Sequence, residues 1–165
     1  MIMWLKSIKV SKNAHKFIKL RERKLAMETT AKVIAVSGKG GVGKTTLAAH
    51  IGQMALVRRE AVYYCNIEEF LRVIKNKDSS RKTEKIYRYM LDCSVIIIDD
   101  VMYANITPEN LPVFYRAVSF LNEARSLIII TNRELSGWVS AAEDTHLMQT
   151  LVDRITANSQ IIRLG

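Results

Sequence analysis

A glycine-rich segment near the start of the chain constrains the fold more than any other feature. Its residues, Gly38-Lys-Gly-Gly-Val-Gly-Lys-Thr45, match the pattern G-x-x-x-x-G-K-[ST] at every defined position. An apolar run at 33–37 precedes the segment, and a helix-length stretch to residue 57 follows it. In a strand, loop and helix of this kind, backbone N–H groups turn inward and the helix amino terminus adds its dipole. The sequence therefore predicts a phosphate-binding loop.

The residue types of this loop predict a nucleotide triphosphate and a divalent cation as its ligands. Lys44 is expected to neutralise the β- and γ-phosphates of ATP. Thr45 is expected to bind Mg²⁺ through its hydroxyl oxygen. The residues predicted to contact the nucleotide are Gly38, Lys39, Gly40, Gly41, Val42, Gly43, Lys44, Thr45 and Thr46.

From residue 32 onward, short apolar runs alternate with helix-length polar segments. This alternation is typical of a parallel sheet covered by helices. The predicted strands are 33–37, 61–65, 94–99, 127–131 and 160–164, and the predicted helices are 43–57, 67–76, 82–91, 107–124 and 145–157. The sequence therefore predicts an α/β domain with a five-stranded parallel sheet flanked by helices.

Two carboxylates end the third predicted strand, whose sequence is Val95-Ile-Ile-Ile-Asp99-Asp100. A continuous apolar run is typical of a strand buried on both faces, and such folds bind ligands at the carboxyl ends of their strands. Asp99 is the predicted Mg²⁺ partner, directly or through water. Asp100 is predicted to polarise the attacking water, because phosphoryl transfer depends on positioning and electrostatics.

Two further polar residues have open alternatives at this stage. Asn132 follows the fourth predicted strand, where it would either hold the attacking water in line with the γ-phosphate or act as a turn residue, which asparagine favours. Arg154 lies late on the last predicted helix. It would either form a surface ion pair with Asp153 or Asp144, or reach a nucleotide bound by a neighbouring subunit. Sequence spacing does not decide between these alternatives.

Positive charge is concentrated in the first half of the chain. Residues 1–88 contain 20 Lys and Arg against 7 Asp and Glu, a net charge of +13, whereas residues 89–165 contain 5 against 9, a net charge of −4. This asymmetry predicts a polyanionic partner, DNA first and an anionic membrane second, with a merely solubilising charge as the alternative. The predicted DNA-contacting segments are 1–30, a basic N-terminal extension, and 58–88, within an ATP-binding domain that spans 31–165.

Cysteine content and hydropathy predict a cytoplasmic protein. The two cysteines, Cys65 and Cys93, are too few for a disulfide framework or a four-ligand zinc site, and each has apolar neighbours typical of a buried thiol. No apolar run approaches the roughly 18 to 20 residues that a membrane span needs. The first residues lack the pattern of a secretory signal peptide.

The second half of the chain resembles the IstB/DnaC-type AAA+ ATPases, which act as transposition helper proteins or replicative helicase loaders. Ile96-Ile-Ile-Asp-Asp-Val-Met-Tyr103 is similar to the Walker B segment of that family, and Ile129-Ile-Thr-Asn-Arg133 to its sensor 1 strand. Trp138 matches the tryptophan that follows, and Leu151-Val-Asp-Arg-Ile155 is similar to the Leu-Leu-Asp-Arg-Leu helix. With the phosphate loop, the resemblance covers roughly residues 31–165.

The resemblance implies roles for six residues: Lys44 and Thr45 in Walker A, Asp99 and Asp100 in Walker B, Asn132 as sensor 1, and Arg154 as the arginine finger. It implies a P-loop NTPase fold of the AAA+ type that hydrolyses ATP to ADP and phosphate. It also implies a homo-oligomer that assembles on DNA and delivers a partner, a transposase or a replicative helicase, to that DNA.

Lys39 departs from the family pattern, which usually has proline or a neutral residue at this position. With this lysine, the loop is similar to the deviant Walker A loop of ParA/MinD-type ATPases. In the dimers of those proteins, the corresponding lysine reaches the nucleotide bound by the partner subunit. Such proteins usually have an Asp-rich switch and an Asp-x-Pro motif, whereas this chain has Cys65-Asn-Ile-Glu68 and Asp99-Asp-Val-Met102. These two segments favour the IstB/DnaC resemblance over the ParA/MinD alternative.

The ends of the chain also depart from the family pattern. Only about 30 residues precede the first predicted strand, and the chain stops at Gly165, before the short tail that the family often has. These departures suggest a shortened copy. A third hypothesis is therefore a non-hydrolysing, nucleotide-dependent interaction module.

Overall fold

A computed structural model describes residues 33–101, 106–157 and 159–165 of the 165-residue chain. Its strands are β1 (Val33–Gly38), β2 (Val62–Asn66), β3 (Val95–Val101), β4 (Ser126–Thr131) and β5 (Ser159–Leu164). They form one parallel sheet in the order β2-β3-β4-β1-β5. The predicted five-stranded parallel sheet is confirmed. The predicted N-terminal extension, residues 1–30, lies outside the described residues.

Six helices occur in the described part of the chain. They are α1 (Lys44–Val57), α2 (Ile67–Lys75), α3 (Arg81–Asp92), α4 (Leu111–Ala124), α5 (Ser136–Ala141) and α6 (Thr145–Thr156). Five of them correspond to the predicted helices. Helix α5 was not predicted, because six residues are too few to establish a helical period of apolar side chains.

Helix α4 begins four residues later than predicted. The expected start was Thr107, but residues 108–110 form a turn in which the Thr107 carbonyl accepts from the N–H groups of Asn110 and Leu111, both at 2.9 Å. Pro112 explains the shift, because proline has no N–H to donate and is tolerated in the first turn of a helix but not further along. Thr107 closes the turn before α4, whose N-cap is Asn110.

Side chains from the strands pack into two cores, one on each face of the sheet. Val36, Ile97 and Ile128 belong to the smaller core, which α1 covers. Val33, Ile96 and Ile98 belong to the larger core, which contains the buried ring of Trp138 and residues of α2 to α6. Burial of the strands on both faces accounts for their continuous apolar sequences.

The strand order places the chain turns that follow β1 and β4 side by side. From β1 the chain enters α1 on one face of the sheet, whereas the helices after β2, β3 and β4 cover the other face. A crevice therefore opens at the carboxyl ends of these neighbouring strands, which is where open parallel sheets bind ligands. The glycine-rich loop begins at this crevice.

Gly38 ends β1 in a place where no side chain fits. Its φ is +149°, and a Cβ atom added there would lie 1.8 Å from the carbonyl oxygen of Leu164 on β5. Both the backbone conformation and the close approach of β5 therefore require glycine. This requirement fixes the point at which the chain leaves the sheet to form the loop.

We expect Gly38→Ala to lower the free energy of unfolding by about 3 kcal/mol or more, because the new methyl group would displace the backbone of β5. Gly137→Ala is the control, since a Cβ there meets no atom within 4 Å. Gly137 lies in α5, so that change is expected to be neutral or to stabilise by about 0.5 to 1 kcal/mol. Urea unfolding monitored by circular dichroism measures both values. Equal losses for the two variants would contradict the steric explanation.

Candidate nucleotide-binding site

The glycine-rich loop connects the end of β1 to the first turn of α1. Gly41 and Gly43 have φ values of +79° and +86°, in the left-handed region that glycine adopts without strain. Gly43 is the N-cap of α1, and no side chain caps the first N–H groups of that helix. Those N–H groups are available to phosphate oxygens. The nine residues predicted to contact the nucleotide form this continuous connection.

Lys44 is the first residue of α1 and lies against the loop. Its side chain is mostly buried, with the residue 8% exposed. The ammonium group donates to the carbonyl oxygens of Gly38, at 2.8 Å, and Lys39, at 2.6 Å. The positive charge is therefore held inside the concave side of the loop. Lys39, in contrast, is exposed.

Thr45 and Asp99 are 54 positions apart in the sequence and meet at this site. The Thr45 hydroxyl donates to Oδ2 of Asp99 at 2.9 Å, and Asp99 is only 4% exposed. A second hydroxyl, that of Tyr64 on β2, donates to the same oxygen. The pKa of Tyr64 is raised well above its usual value by burial and by the hydrogen bond to Asp99. The phenol therefore remains a proton donor at neutral pH.

Asp99 and Asp100 form a β-bulge at the end of β3. Ile98 pairs with Ile129 and Val101 with Thr131, so that two residues of β3 face one residue of β4. Asp100 has a φ of +57°, and its N–H donates to Oδ1 of Asp99 at 2.8 Å. A bulge redirects the side chains that follow it. Asp99 is consequently buried beside Thr45, whereas Asp100 is exposed at the carboxyl end of β3.

The environment of Asp100 raises the pKa of its carboxyl group above the usual value. The main cause is partial loss of solvent, the negative charge of Asp99 adds to it, and the positive charge of Lys44 opposes it. A higher pKa makes this carboxylate a better proton acceptor at neutral pH.

Asn132 lies directly after β4 and is exposed. The register pairs Val36 of β1 with Ile130 of β4, so Asn132 is about level with the start of the glycine-rich loop. The preceding residue, Thr131, is fully buried and organises the turn. Its hydroxyl accepts from the Trp138 indole N–H at 3.3 Å and from the Arg133 N–H at 3.1 Å.

Arg154 lies near the end of α6 and forms an ion pair with Glu123 of α4 at 3.3 Å. The predicted partners of its ion pair, Asp153 and Asp144, were both wrong. Adjacent residues of a helix point in different directions, so Asp153 is poorly placed. Asp144 lies at the opposite end of α6, where its carboxylate caps the helix by accepting from the Leu147 N–H at 2.9 Å.

The segment 58–88 is a strongly basic part of the surface. All nine of its Lys and Arg residues are exposed: Arg58, Arg59, Arg72, Lys75, Lys77, Arg81, Lys82, Lys85 and Arg88. Two of the nine form ion pairs within their own helices, Arg72 with Glu69 at 3.9 Å and Arg88 with Glu84 at 2.6 Å. The predicted DNA-contacting residues at 1–30 lie outside the described part of the chain.

Tyr64 and Thr131 are site residues that the sequence did not predict. Nothing in the sequence indicates that β2 is the strand next to β3, so the contact between Tyr64 and Asp99 could not be read from it. Thr131 had a weak signal, because a threonine at the end of an apolar run needs a partner for its hydroxyl. Its partner, Trp138, is seven residues away across a loop.

The donor set at this site fits Mg²⁺. A buried carboxylate and a threonine hydroxyl lie in contact beside a loop suited to phosphate, and Mg²⁺ is commonly held by one or two carboxylates together with substrate phosphates. The residues that would hold it are Thr45 and Asp99. Among the described residues, no group of three or more His, Cys, Asp and Glu forms a separate metal cage.

The fold and the site together define a P-loop nucleotide-binding domain. A solved structure of the DnaC helicase loader superposes on 98% of this chain and 96% of its own with a TM-score of 0.71, at 20% sequence identity. A family model described as IstB-like ATP binding protein matches residues 9–165. The chain therefore belongs to the IstB-like ATP-binding proteins, and the family resemblance stated from the sequence is confirmed.

Two curated relatives of similar sequence are named as ATP-binding proteins of insertion sequences. A Bacteroides fragilis protein named as an insertion sequence IS21-like ATP-binding protein is 31% identical over 148 residues, which cover 89% of this chain and 56% of the relative. A Bacillus thuringiensis protein named for insertion sequence IS232 is 28% identical over 131 residues, which cover 79% of this chain and 52% of the relative. The chain spans about half the length of these relatives.

The family match favours the IstB/DnaC resemblance over the ParA/MinD alternative. Cys65 and Cys93 are both free and buried, as predicted. Within the three described ranges, no helix combines the length and the apolar character that crossing a membrane requires.

Proposed function

We propose that this chain is a Mg²⁺-dependent ATPase that assembles on DNA and assists a transposase. The observation that carries the proposal is the contact between Thr45 and Asp99, 2.9 Å apart, beside the buried ammonium group of Lys44. This combination supplies a cation, a metal-binding hydroxyl and a buried carboxylate at the mouth of a phosphate loop. Phosphoryl transfer needs these groups, since its catalysis consists of positioning and charge stabilisation.

Each residue of the site has a proposed role. Lys44 binds the β- and γ-phosphates. Thr45 and Asp99 would hold Mg²⁺, and the bound ion would neutralise the charge that develops on the transferred phosphoryl group. Asp100, exposed in the bulge beside Asp99, polarises the attacking water. Asn132 orients that water from the end of β4, the strand between β1 and β3.

We propose that the active form is a homo-oligomer in which Arg154 of one subunit completes the site of the next. Arg154 is near the end of α6, which precedes β5, whereas the phosphate loop follows the end of β1. Because β1 and β5 are parallel neighbours, Arg154 lies near the amino-terminal ends of the strands and the phosphate loop lies at their carboxyl ends. An arginine so far from the loop of its own subunit would act on a neighbouring subunit.

DNA is the proposed polyanionic partner, and its contact surface includes the exposed basic residues of 58–88. The relatives named from insertion sequences favour a role in transposition over helicase loading. Such a role implies a cytoplasmic location. The proposed partner protein is therefore a transposase that the oligomer delivers to DNA.

ATP turnover with and without duplex DNA tests the proposed function. We expect phosphate release that requires Mg²⁺ and rises when DNA is added. The logarithm of the DNA association constant should fall linearly with the logarithm of the salt concentration, with a slope of about −0.9 per phosphate neutralised. We expect Arg81→Ala to reduce this slope by about one. Arg116→Ala, which removes an exposed arginine from the acidic half, is the control and should leave the slope unchanged.

Two results would contradict parts of the proposal. Nucleotide binding without hydrolysis under all conditions would identify a nucleotide-dependent interaction module in place of an ATPase. A salt slope near zero would exclude DNA as the partner of the basic surface.

A further inference from the structure

We propose that Tyr64 is a positioning residue for the Mg²⁺ site, whose phenol holds the Asp99 carboxylate in the orientation in which Asp99 and Thr45 receive the ion. This inference rests on the proposed function, because it concerns the cation of the same nucleotide site. It adds a residue of β2 to a site otherwise built from the phosphate loop and β3.

The Asp99 carboxylate is held by three hydrogen-bond donors. The Thr45 hydroxyl and the Tyr64 hydroxyl both donate to Oδ2, and the Asp100 N–H donates to Oδ1 at 2.8 Å. Of these donors, Tyr64 alone belongs to neither the phosphate loop nor the end of β3. It therefore ties the carboxylate to β2, the strand that pairs with β3.

The hydrogen-bond capacity of Thr45 is compatible with this arrangement. A hydroxyl group has one proton to donate and two lone pairs to accept. Thr45 can therefore keep its hydrogen bond to Asp99 while its oxygen faces a cation. Tyr64 donates to the same carboxylate oxygen from β2, so the orientation of Asp99 does not depend on Thr45 alone.

The ring of Tyr64 is itself fixed by packing. It lies against the smaller core, on the face of the sheet that α1 covers. Residues that orient metal ligands from outside the coordination shell typically change metal affinity or activity by about 10- to 100-fold when they are mutated. An effect of that size is expected here, because the phenol contacts the ligand directly.

Tyr63 provides a matched control within the same strand. It points to the opposite face of the sheet, is 1% exposed, and its hydroxyl has no hydrogen-bond partner among the described residues. Tyr63→Phe therefore removes one hydroxyl group from the adjacent position without touching Asp99. The two variants differ only in whether the lost hydroxyl contacts the site.

The experiment measures the affinity of a fluorescent, non-hydrolysable ATP analogue at increasing Mg²⁺ concentration and in the presence of a chelator. For Tyr64→Phe we expect the Mg²⁺ concentration at half-saturation to rise about 10-fold or more. Affinity for the analogue without Mg²⁺ should not change, because Lys44 and the loop are intact. Tyr63→Phe should match the unmodified chain in both measurements.

Two outcomes would overturn the inference. One is an unchanged Mg²⁺ half-saturation in Tyr64→Phe. The other is an equal loss of affinity with and without Mg²⁺, since that would indicate general damage to the fold. If Tyr64→Phe does not fold, Tyr64→Met, which also lacks a donor and adapts readily to a core, replaces it in the same titration.

The same titration separates failure of the inference from failure of the proposed function. If the unmodified chain binds the analogue equally well at all Mg²⁺ concentrations, the Mg²⁺-dependent function fails and the inference fails with it. If the unmodified chain depends on Mg²⁺ and Tyr64→Phe has the same dependence, only the inference is overturned.

Discussion

Lys44→Ala is expected to abolish ATP turnover and to weaken nucleotide binding by about 100-fold or more. The ammonium group of Lys44 lies 2.8 Å and 2.6 Å from two carbonyl oxygens of the loop and is largely shielded from solvent. Hydrogen bonds to charged groups contribute about 1.5 to 3 kcal/mol each, and every 1.4 kcal/mol corresponds to about tenfold in affinity. Loss of this cation removes at least one such interaction with phosphate and leaves the loop carbonyls facing the anion.

Lys39→Ala is the matched control for Lys44→Ala. It is the same substitution, made five positions earlier in the same loop, at a side chain that is exposed. Lys39 takes part in the loop through its backbone, whose carbonyl oxygen accepts from Lys44, and alanine keeps that backbone. We expect its nucleotide affinity and turnover to stay close to those of the unmodified chain. Phosphate release and binding of a fluorescent ATP analogue measure both variants. Loss of activity in Lys39→Ala together with loss of an ATP-dependent dimer would instead support a ParA/MinD-type loop.

Arg154→Ala is expected to lower turnover by about 10³-fold or more, the range known for an arginine supplied by a neighbouring subunit. Its side chain is 44% exposed, and its ion pair with Glu123 is a surface contact that contributes about 0 to 1 kcal/mol to stability. We therefore expect the variant to fold normally and to bind ATP. Mixing it with Lys44→Ala should restore part of the activity, because some shared sites would contain both intact residues.

Glu123→Gln separates the two roles that Arg154 could have. This change breaks the same ion pair but keeps the arginine, so turnover should be retained if Arg154 acts on a neighbouring nucleotide. A loss in Glu123→Gln as large as that in Arg154→Ala would assign the effect to the ion pair. Absence of any recovery in the mixture of inactive variants would argue against a site shared between subunits.

Much of the candidate site could be predicted from the sequence, because its chemistry depends on consecutive residues. The glycine pattern from 38 to 45 specifies backbone conformations that other residues adopt only with strain, and Gly38 and Gly43 have positive φ values in the structure. The apolar run before Asp99 indicated a strand buried on both faces. The rule that parallel strands meet ligands at their carboxyl ends then predicted that Thr45 and Asp99 would lie together.

Features that depend on which elements are neighbours could not be predicted in the same way. Tyr64 reaches Asp99 because β2 lies beside β3, and Arg154 pairs with Glu123 because α6 packs against α4. The late start of α4 depends on Pro112, which has no N–H to donate, and on the turn that the Thr107 carbonyl closes before it. Each of these contacts joins residues whose relative position follows from the whole packing arrangement.

The sequence by itself determined the phosphate loop, the class of fold and the family, since local backbone geometry and the alternation of apolar segments are recorded in consecutive residues. Only the tertiary structure decided the bulge that buries Asp99 and exposes Asp100, and the second hydroxyl that orients Asp99. The physical reason is that both arise from the register and order of separate strands. Those depend on packing across the sheet rather than on any short segment of the chain.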